Sequence, residues 1–261
     1  MATDWSIYNV DCIDIRDLIT EPASLVYIDP PYGPVGEDTY YGVGNSRDEY
    51  LSFMRARISA LVGALKPNGS FVLHVDQKYS HRLRVVLDDV LGEDAFQNEI
   101  VWCYSGPSRA ARWFPRKHDT LLWYAREAPL FNQPRVPYVG TFKVGGKTSW
   151  AGKNVDKEEY LKQGKALEDW WTDPPALQRN EKEKTGYKTQ KPLALLNRIV
   201  SALTNPGDLV VDGFCGSGTT GASALMLGRR FLGTDVSKVA ADLAASRLKS
   251  LHESRASSDN E

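Results

Sequence analysis

Asp29-Pro30-Pro31-Tyr32 puts a carboxylate, two prolines and an aromatic ring in four consecutive positions. The prolines freeze the backbone and remove their own donors, so the Pro30 carbonyl can face a crevice with nothing local to satisfy it. Such a set suits an exocyclic amine, whose two N–H groups meet Asp29 and the Pro30 carbonyl while its ring stacks on Tyr32. An adenine amine is a poor nucleophile because its lone pair is delocalised into the ring. Two acceptors draw it toward tetrahedral geometry, free the lone pair and stabilise the positive charge that grows as it attacks a sulfonium methyl. Taken alone, the four residues also read as a proline-stiffened turn with Asp29 as a cap.

A second segment, Asp212-Gly213-Phe214-Cys215-Gly216-Ser217-Gly218-Thr219-Thr220, has the composition of a ligand loop. Glycines where a strand runs into a helix let main chain approach a ligand that side chains would block. About twenty residues on, Phe231-Leu232-Gly233-Thr234 reads as a strand ending in Asp235, an acid placed to accept from ribose hydroxyls. Gly221 completes G-x-G-x-x-G, so this segment fits a dinucleotide enzyme, another nucleotide site, or a glycine-rich turn with a solvated Asp235.

Both segments need strands to carry them. Each follows an apolar, β-branched run, Leu25-Val26-Tyr27-Ile28 and Leu209-Val210-Val211, the pattern of buried parallel strands whose C-terminal ends line a crevice. Strands are expected near 6–10, 24–28, 70–75, 98–103, 119–125, 208–213 and 230–234, and helices near 47–65, 78–91, 191–204, 219–227 and 237–251. Their alternation predicts a doubly wound, mostly parallel α/β sheet. Residues 126–188 break the rhythm with Pro129, Pro134, Pro137, Gly140, Gly145-Gly146 and Pro174-Pro175. They are too long for a structureless loop, and are expected to form a small insert packed around Trp150, Trp170 and Trp171. Residues 1–125 and 189–251 would then form the main domain and 252–261 a frayed tail. The glycine-rich stretch Gly33 to Asn45, with Gly36, Gly42, Gly44 and Tyr40-Tyr41, is either a lid or a connection.

At 261 residues and a net charge of −1 the chain has no global basicity. Positive charge is local: Arg109, Arg112, Arg116 and Lys117 crowd one segment, and Lys143, Lys147, Lys153, Lys157, Lys162 and Lys165 are spread through the next. On charge alone the first cluster fits a solvated loop and a phosphate-contacting face equally. Cys12, Cys103 and Cys215 lie far apart, with no C-x-x-C spacing and no His pair nearby, so reduced thiols and no metal site are expected. The absence of a signal peptide or membrane-length apolar run predicts a cytoplasmic or nucleoid-associated protein.

The order of these motifs resembles the β-class S-adenosylmethionine-dependent DNA amino-methyltransferases, in which DPPY precedes the target-recognition region and FxGxG comes last. The resemblance also rests on Asn9-Val10-Asp11-Cys12, Leu65 to Val72, Asn98-Glu99-Ile100-Val101-Trp102, Lys117 to Tyr124, and Thr189-Gln190-Lys191-Pro192-Leu193 before Asn205-Pro206-Gly207-Asp208. Gly213 departs from the family's usual proline, and Tyr187-Lys188 from its common His-Pro. The resemblance implies a Rossmann-like methyltransferase sheet in circularly permuted motif order, with the insert reading the target. It implies a catalytic set of Asp29, Pro30, Pro31 and Tyr32. It places S-adenosyl-L-methionine with its adenine near Asp11 and Cys12 and its ribose on Asp235. The amino-acid end would lie near Asp29, Thr189, Gln190, Phe214, Gly216, Ser217, Gly218 and Thr219, with Lys191 on the methionyl carboxylate. DNA becomes the expected partner, with Arg109, Arg112, Arg116 and Lys117 on its phosphates, and a homodimer and a cognate restriction endonuclease are further expectations. The base has to leave the duplex, and Asp at the first DPPY position favours N6 of adenine, with N4 of cytosine the alternative. An oxidoreductase would leave DPPY and Thr-Gln-Lys-Pro without work, a catalytically silent subunit does not need Asp29, and RNA or protein amide methylases usually carry Asn there.

Overall fold

The computed structural model describes residues 4–34, 43–137, 149–150, 153–154, 164–177 and 181–258. Gly36, Tyr40, Tyr41, Gly42, Gly140, Lys143, Gly145, Gly146, Lys147, Lys157 and Lys162 lie outside them. The chain divides into two compact units, Met1–Phe131 with Asp169–Glu261, and Asn132–Glu168.

The larger unit is built on an eight-stranded sheet. Its strands are β1 (Trp5–Tyr8), β2 (Ala23–Ile28), β3 (Leu65–Asp76), β4 (Phe96–Cys103), β5 (His118–Tyr124), β10 (Trp170–Trp171), β11 (Leu209–Asp212) and β12 (Arg230–Thr234), in the order β1-β12-β11-β2-β3-β5-β4-β10. Only β5 runs against its neighbours. The central strands are buried on both faces, as their unbroken apolar runs require: every residue of β2 and of β11 is buried. Helices α1 (Arg47–Val62), α2 (Ser80–Leu91), α3 (Leu193–Leu203), α4 (Thr219–Met226) and α5 (Lys238–Ser258) complete the unit. The start of α1 is fixed by a capping box, in which the Ser46 hydroxyl accepts from the Glu49 N–H while the Glu49 carboxylate accepts from the Ser46 N–H.

The chain winds outward in both directions from the neighbours β2 and β11, where Val210 lies beside Leu25 and Val211 beside Val26. The loops after these two strands therefore leave side by side at the point where the strand order reverses, the usual ligand crevice of an open α/β sheet.

The smaller unit carries two short antiparallel ribbons, β6 (Arg135–Val136) with β9 (Lys165–Ala166), and β7 (Ser149–Trp150) with β8 (Lys153–Asn154). It is shorter than the expected insert of 126–188. Trp170 and Trp171 are not its core but a strand of the large sheet, paired with Val101 and Trp102. Three polar ties hold that strand's continuation: the Trp102 indole N–H donates to the Pro174 carbonyl at 2.7 Å, and Arg198 of α3 donates to the Asp173 carbonyl and carboxylate at 2.7 Å each. A two-residue strand with such distant partners has no local signature. The expected tail is also shortened, since α5 runs on to Ser258. No glycine or proline stops it there, and the Ser250 and Ser254 hydroxyls bond back to the carbonyls four residues earlier.

Candidate active site

Asp29-Pro30-Pro31-Tyr32 and Phe214 to Thr220 meet in a cleft of about 710 Å³ within the larger unit. Asp29 is held from two sides. Its Oδ1 accepts the Tyr32 hydroxyl at 2.6 Å, and its Oδ2 pairs with Lys191 Nζ at 2.5 Å. The Pro31 carbonyl accepts from the Gly33 N–H at 3.0 Å and the Tyr50 hydroxyl at 2.9 Å. That pins the tetrapeptide, while no donor among the described residues reaches the Pro30 carbonyl. Burial and the neighbouring Asp29 push the Tyr32 hydroxyl well above the usual tyrosine range, so it stays a donor. Beneath Tyr32 its ring stacks on His74, with centroids 6.2 Å apart. His74 is itself buried, with the Tyr27 hydroxyl 2.7 Å from Nδ1 and the Asp119 carboxylate 3.1 Å from Nε2. Burial lowers the His74 pKa, with the nearby Lys191 charge adding to the effect.

The opposite wall is the glycine-rich loop after β11. Gly218 has φ +74°, which other residues rarely adopt, and a Cβ there would stand 2.9 Å from the Ala244 Cβ. At Gly213 a Cβ would come within 2.8 Å of the Cys12 Cβ and 2.9 Å of a Leu61 methyl, so this chain has no room for the family's proline. Polar side chains hold the loop. Asp212 accepts from the Phe214 N–H at 3.0 Å and the Thr220 hydroxyl at 2.6 Å, Asp235 from the Gly216 N–H at 3.0 Å and the Ser237 N–H at 2.9 Å. Arg247 of α5 reaches the Ser217 carbonyl at 3.1 Å and the Thr219 hydroxyl at 3.0 Å. Burial lifts the Asp212 carboxyl to about 7.

The structure gathers Asp29, Pro30, Pro31, Tyr32, Thr189, Gln190, Lys191, Phe214, Gly216, Ser217 and Thr219 around the cleft. Gly218 and Asp235 do not line it; both shape the loop, and Asp235 is 1% exposed. Asp11 and Cys12 border a small adjoining hollow with Phe53, Arg57, Gly213, Phe214 and Val236. Phe214 separates the two, and the Asp11 carboxylate is engaged by Arg57 and the Ile13 N–H. The Gln190 amide is spent on the turn before it, accepting from Thr185 and donating to the Glu183 carbonyl at 2.7 Å. Sequence reasoning missed Arg247, Tyr187, whose ring covers Gly216, and the work of Asp212. Only Asp212 carried a signal, as an acid that ends a strand directly before glycine.

Arg109, Arg112 and Arg116 stand exposed on the segment between β4 and β5, while Lys117 turns back to donate to the Pro107 carbonyl at 3.0 Å. Among the described residues no cluster of three His, Cys, Asp or Glu is arranged to hold a metal ion, and no helix is long and apolar enough to cross a membrane.

Residues 23–246 match the model of the N6/N4 methyltransferase family, described as DNA methylase. The chain is 29% identical to Type II methyltransferase M1.MboII of Moraxella bovis over 88% of its own length and 91% of that protein's. It is also 29% identical to Type II methyltransferase M2.DpnII of Streptococcus pneumoniae, over 89% and 85%. Among solved structures, the M1.HpyAVI–SAM complex superposes with a TM-score of 0.64 at 24% identity, covering 94% of this chain and 98% of that one. The cytosine-N4-specific PvuII DNA methyltransferase gives 0.67 at 18% identity, covering 93% and 86%.

Proposed function

The chain belongs to the N6/N4 DNA methylase family, the S-adenosylmethionine-dependent DNA amino-methyltransferases, and we propose that it methylates N6 of adenine on a base turned out of the duplex. The observation that carries this reading is the pair of acceptors at one cleft, the Asp29 carboxylate and the Pro30 carbonyl, which no donor among the described residues reaches, beside the Tyr32 ring.

The residues present fit the cofactor. Gly216, at φ +50° on the cleft wall, brings main chain beneath the Tyr187 ring, where a Cβ would stand 3.2 Å from a ring carbon, and the cleft volume lies within the range of small-molecule sites. Phe214 and the Gly216 loop would hold the nucleoside side, and the adenine would come near Asp11 and Cys12 only if Phe214, which stands between the cleft and their small hollow, moved aside. Thr189 and Lys191 would border the amino-acid end. Asp235 would act on the ribose by setting the loop as well as by its charge. Bound there, S-adenosylmethionine supplies an electrophilic methyl on a sulfonium centre.

Everything else is work for the protein. Tyr32 and Lys191 hold the Asp29 carboxylate in one orientation, and each of its oxygens retains a lone pair for an incoming N–H. The amine's second N–H goes to the Pro30 carbonyl, fixed in place because Tyr50 and Gly33 anchor its neighbour Pro31. These acceptors turn the nitrogen lone pair out of the ring, and Asp29 stands ready for the proton that the methylated nitrogen sheds.

Asp29 supports adenine over cytosine, because N4-cytosine enzymes of this kind mostly carry Ser at that position, and a purine also gains more from stacking on Tyr32. We further propose that the unit Asn132–Glu168 reads the target sequence, and that the exposed arginines at 109, 112 and 116 meet phosphates. The relatives' Type II names support a role beside a restriction endonuclease. The test is to incubate the protein with duplex DNA and labelled cofactor, digest to nucleosides and separate them by mass spectrometry. Label is expected in N6-methyladenine; label confined to N4-methylcytosine would overturn the choice of base.

A further inference from the structure

The segment from Ser105 to Lys117 ends in an unusual tip. Trp113 is 64% and Phe114 95% exposed, adjacent in sequence and without apolar cover. A single exposed apolar residue is ordinary, but two neighbouring large aromatics held out in water point to a surface that something else covers. The surroundings say what. Arg109, Arg112 and Arg116 flank the pair, no acidic residue occurs between Ser105 and Lys117, and none of these arginines has an ion-pair partner among the described residues. Aromatic faces framed by unpaired guanidinium groups complement a polyanion with stackable rings inside it, which is a nucleic acid.

Topology puts the tip where such a ligand is needed. Strand β4 is antiparallel to β5, and β5 to β3, so β4 runs the same way as β2 and β3. The segment therefore leaves the sheet at the same edge as Asp29, displaced by three strand spacings, or roughly 14 Å. Its root is closed by the Tyr104 N–H donating to the Lys117 carbonyl at 3.0 Å, and the Tyr104 hydroxyl donates to Asp119 at 3.1 Å. Asp119 bonds His74, on which Tyr32 stacks. The tip is thus tied through buried groups to the ring offered to the base.

We propose that Trp113 and Phe114 form a wedge that enters the duplex beside the target and fills the gap left when the base turns into the cleft. This rests on the DNA methylation reading above and names the residues that make extrusion affordable. Apolar side chains inserted between base steps offset the stacking lost there, and a pair that is already weakened needs less help.

The experiment uses the whole protein and two duplexes carrying its methylated site, one with the target base paired and one with a mismatch opposite it. The double variant W113A/F114A should lose on the order of 10-fold or more in kcat/KM on the paired duplex and regain most of it on the mismatched one. W113F/F114L should stay near wild type on both, and all melting temperatures should agree. Equal rates of wild type and W113A/F114A on the paired duplex would overturn the wedge. So would an equal loss on both duplexes, which marks general binding, or a change of oligomeric state in sedimentation, which marks a contact between copies. A wild-type chain that methylates no DNA overturns the wedge and the parent reading together, and is seen before any variant is compared.

Discussion

Where the β2 wall of the cleft sets a charged side chain at its surface, Asp29 clasped by Tyr32 and Lys191, the β11 wall lines the cleft with Phe214, Gly216, Ser217 and Thr219 and uses its charged side chains to hold that loop. There Asp212, Asp235 and Arg247 bond the loop's N–H, carbonyl and hydroxyl groups. One wall presents charge to the substrate, and the other presents an uncharged loop shaped by its own hydrogen bonds. Loss of a side chain should therefore act on the chemical step at β2, and on cofactor affinity and stability at β11.

The strongest test of that division is Asp29→Ala. Turnover should fall by at least ~10²-fold, the scale of a lost polarising group, while calorimetry finds cofactor affinity little changed. Near-normal turnover would remove Asp29 from the chemistry and erase the contrast.

Lys191 sharpens the comparison because it can serve either wall. The family resemblance assigns it to the methionyl carboxylate, yet here it pairs with Asp29 at 2.5 Å. If its work is to orient Asp29, Lys191→Ala should cost about 1.5–3 kcal/mol in the chemical step, roughly 10- to 100-fold in kcat, the worth of a hydrogen bond to a charged group. Affinity for methylthioadenosine and for S-adenosylmethionine would then change alike. A loss confined to S-adenosylmethionine affinity, with kcat intact, would return Lys191 to the carboxylate.

On the β11 side, Arg247→Ala leaves the Ser217 carbonyl and Thr219 hydroxyl without their donor. The expected cost is about 1–3 kcal/mol of stability, read as a lower urea midpoint, with weaker cofactor binding. Turnover at saturating cofactor should hold. A fall in kcat with unchanged affinity would show that this wall also acts on the reacting atoms.

How much of this was legible beforehand follows the same line. Strand runs such as Leu25 to Ile28 are one-dimensional signals, and DPPY carries its backbone constraint in its own residues, so both stood out. Arg247 did not, because its spacing on α5 fits an ordinary helix end and its partners lie some thirty residues back in the chain. Asp235 was legible as an acid at a strand tip, but its direction was not, since facing a ribose and capping the Gly216 N–H ask for the same residue at the same place. The sheet strand at Trp170-Trp171 was hidden for a further reason. Two residues set no period, and their pairing with Val101 and Trp102 is a long-range fact.

The smallest effect is the most discriminating for the β11 wall. Buried Asp212 titrates in the folded protein at about 7, against an ordinary carboxyl value of 3.8, with burial the main cause. The unfolded chain gives up this proton near 4 and the folded chain holds it to neutrality. The stability it contributes is therefore fully present below about 4 and is lost as pH rises through 7. Asn cannot titrate, and its amide keeps an acceptor for the Phe214 N–H and a donor for the Thr220 hydroxyl. Asp212→Asn should thus gain on the wild type as pH rises from 5 to 8, on the order of 2 kcal/mol by thermal unfolding at each pH. If the β11 wall works through shape, cofactor affinity at pH 8 should be nearly unchanged in this variant. A marked loss there would mean that the Asp212 charge is felt by the ligand through the main chain, and the contrast between the walls would be one of degree.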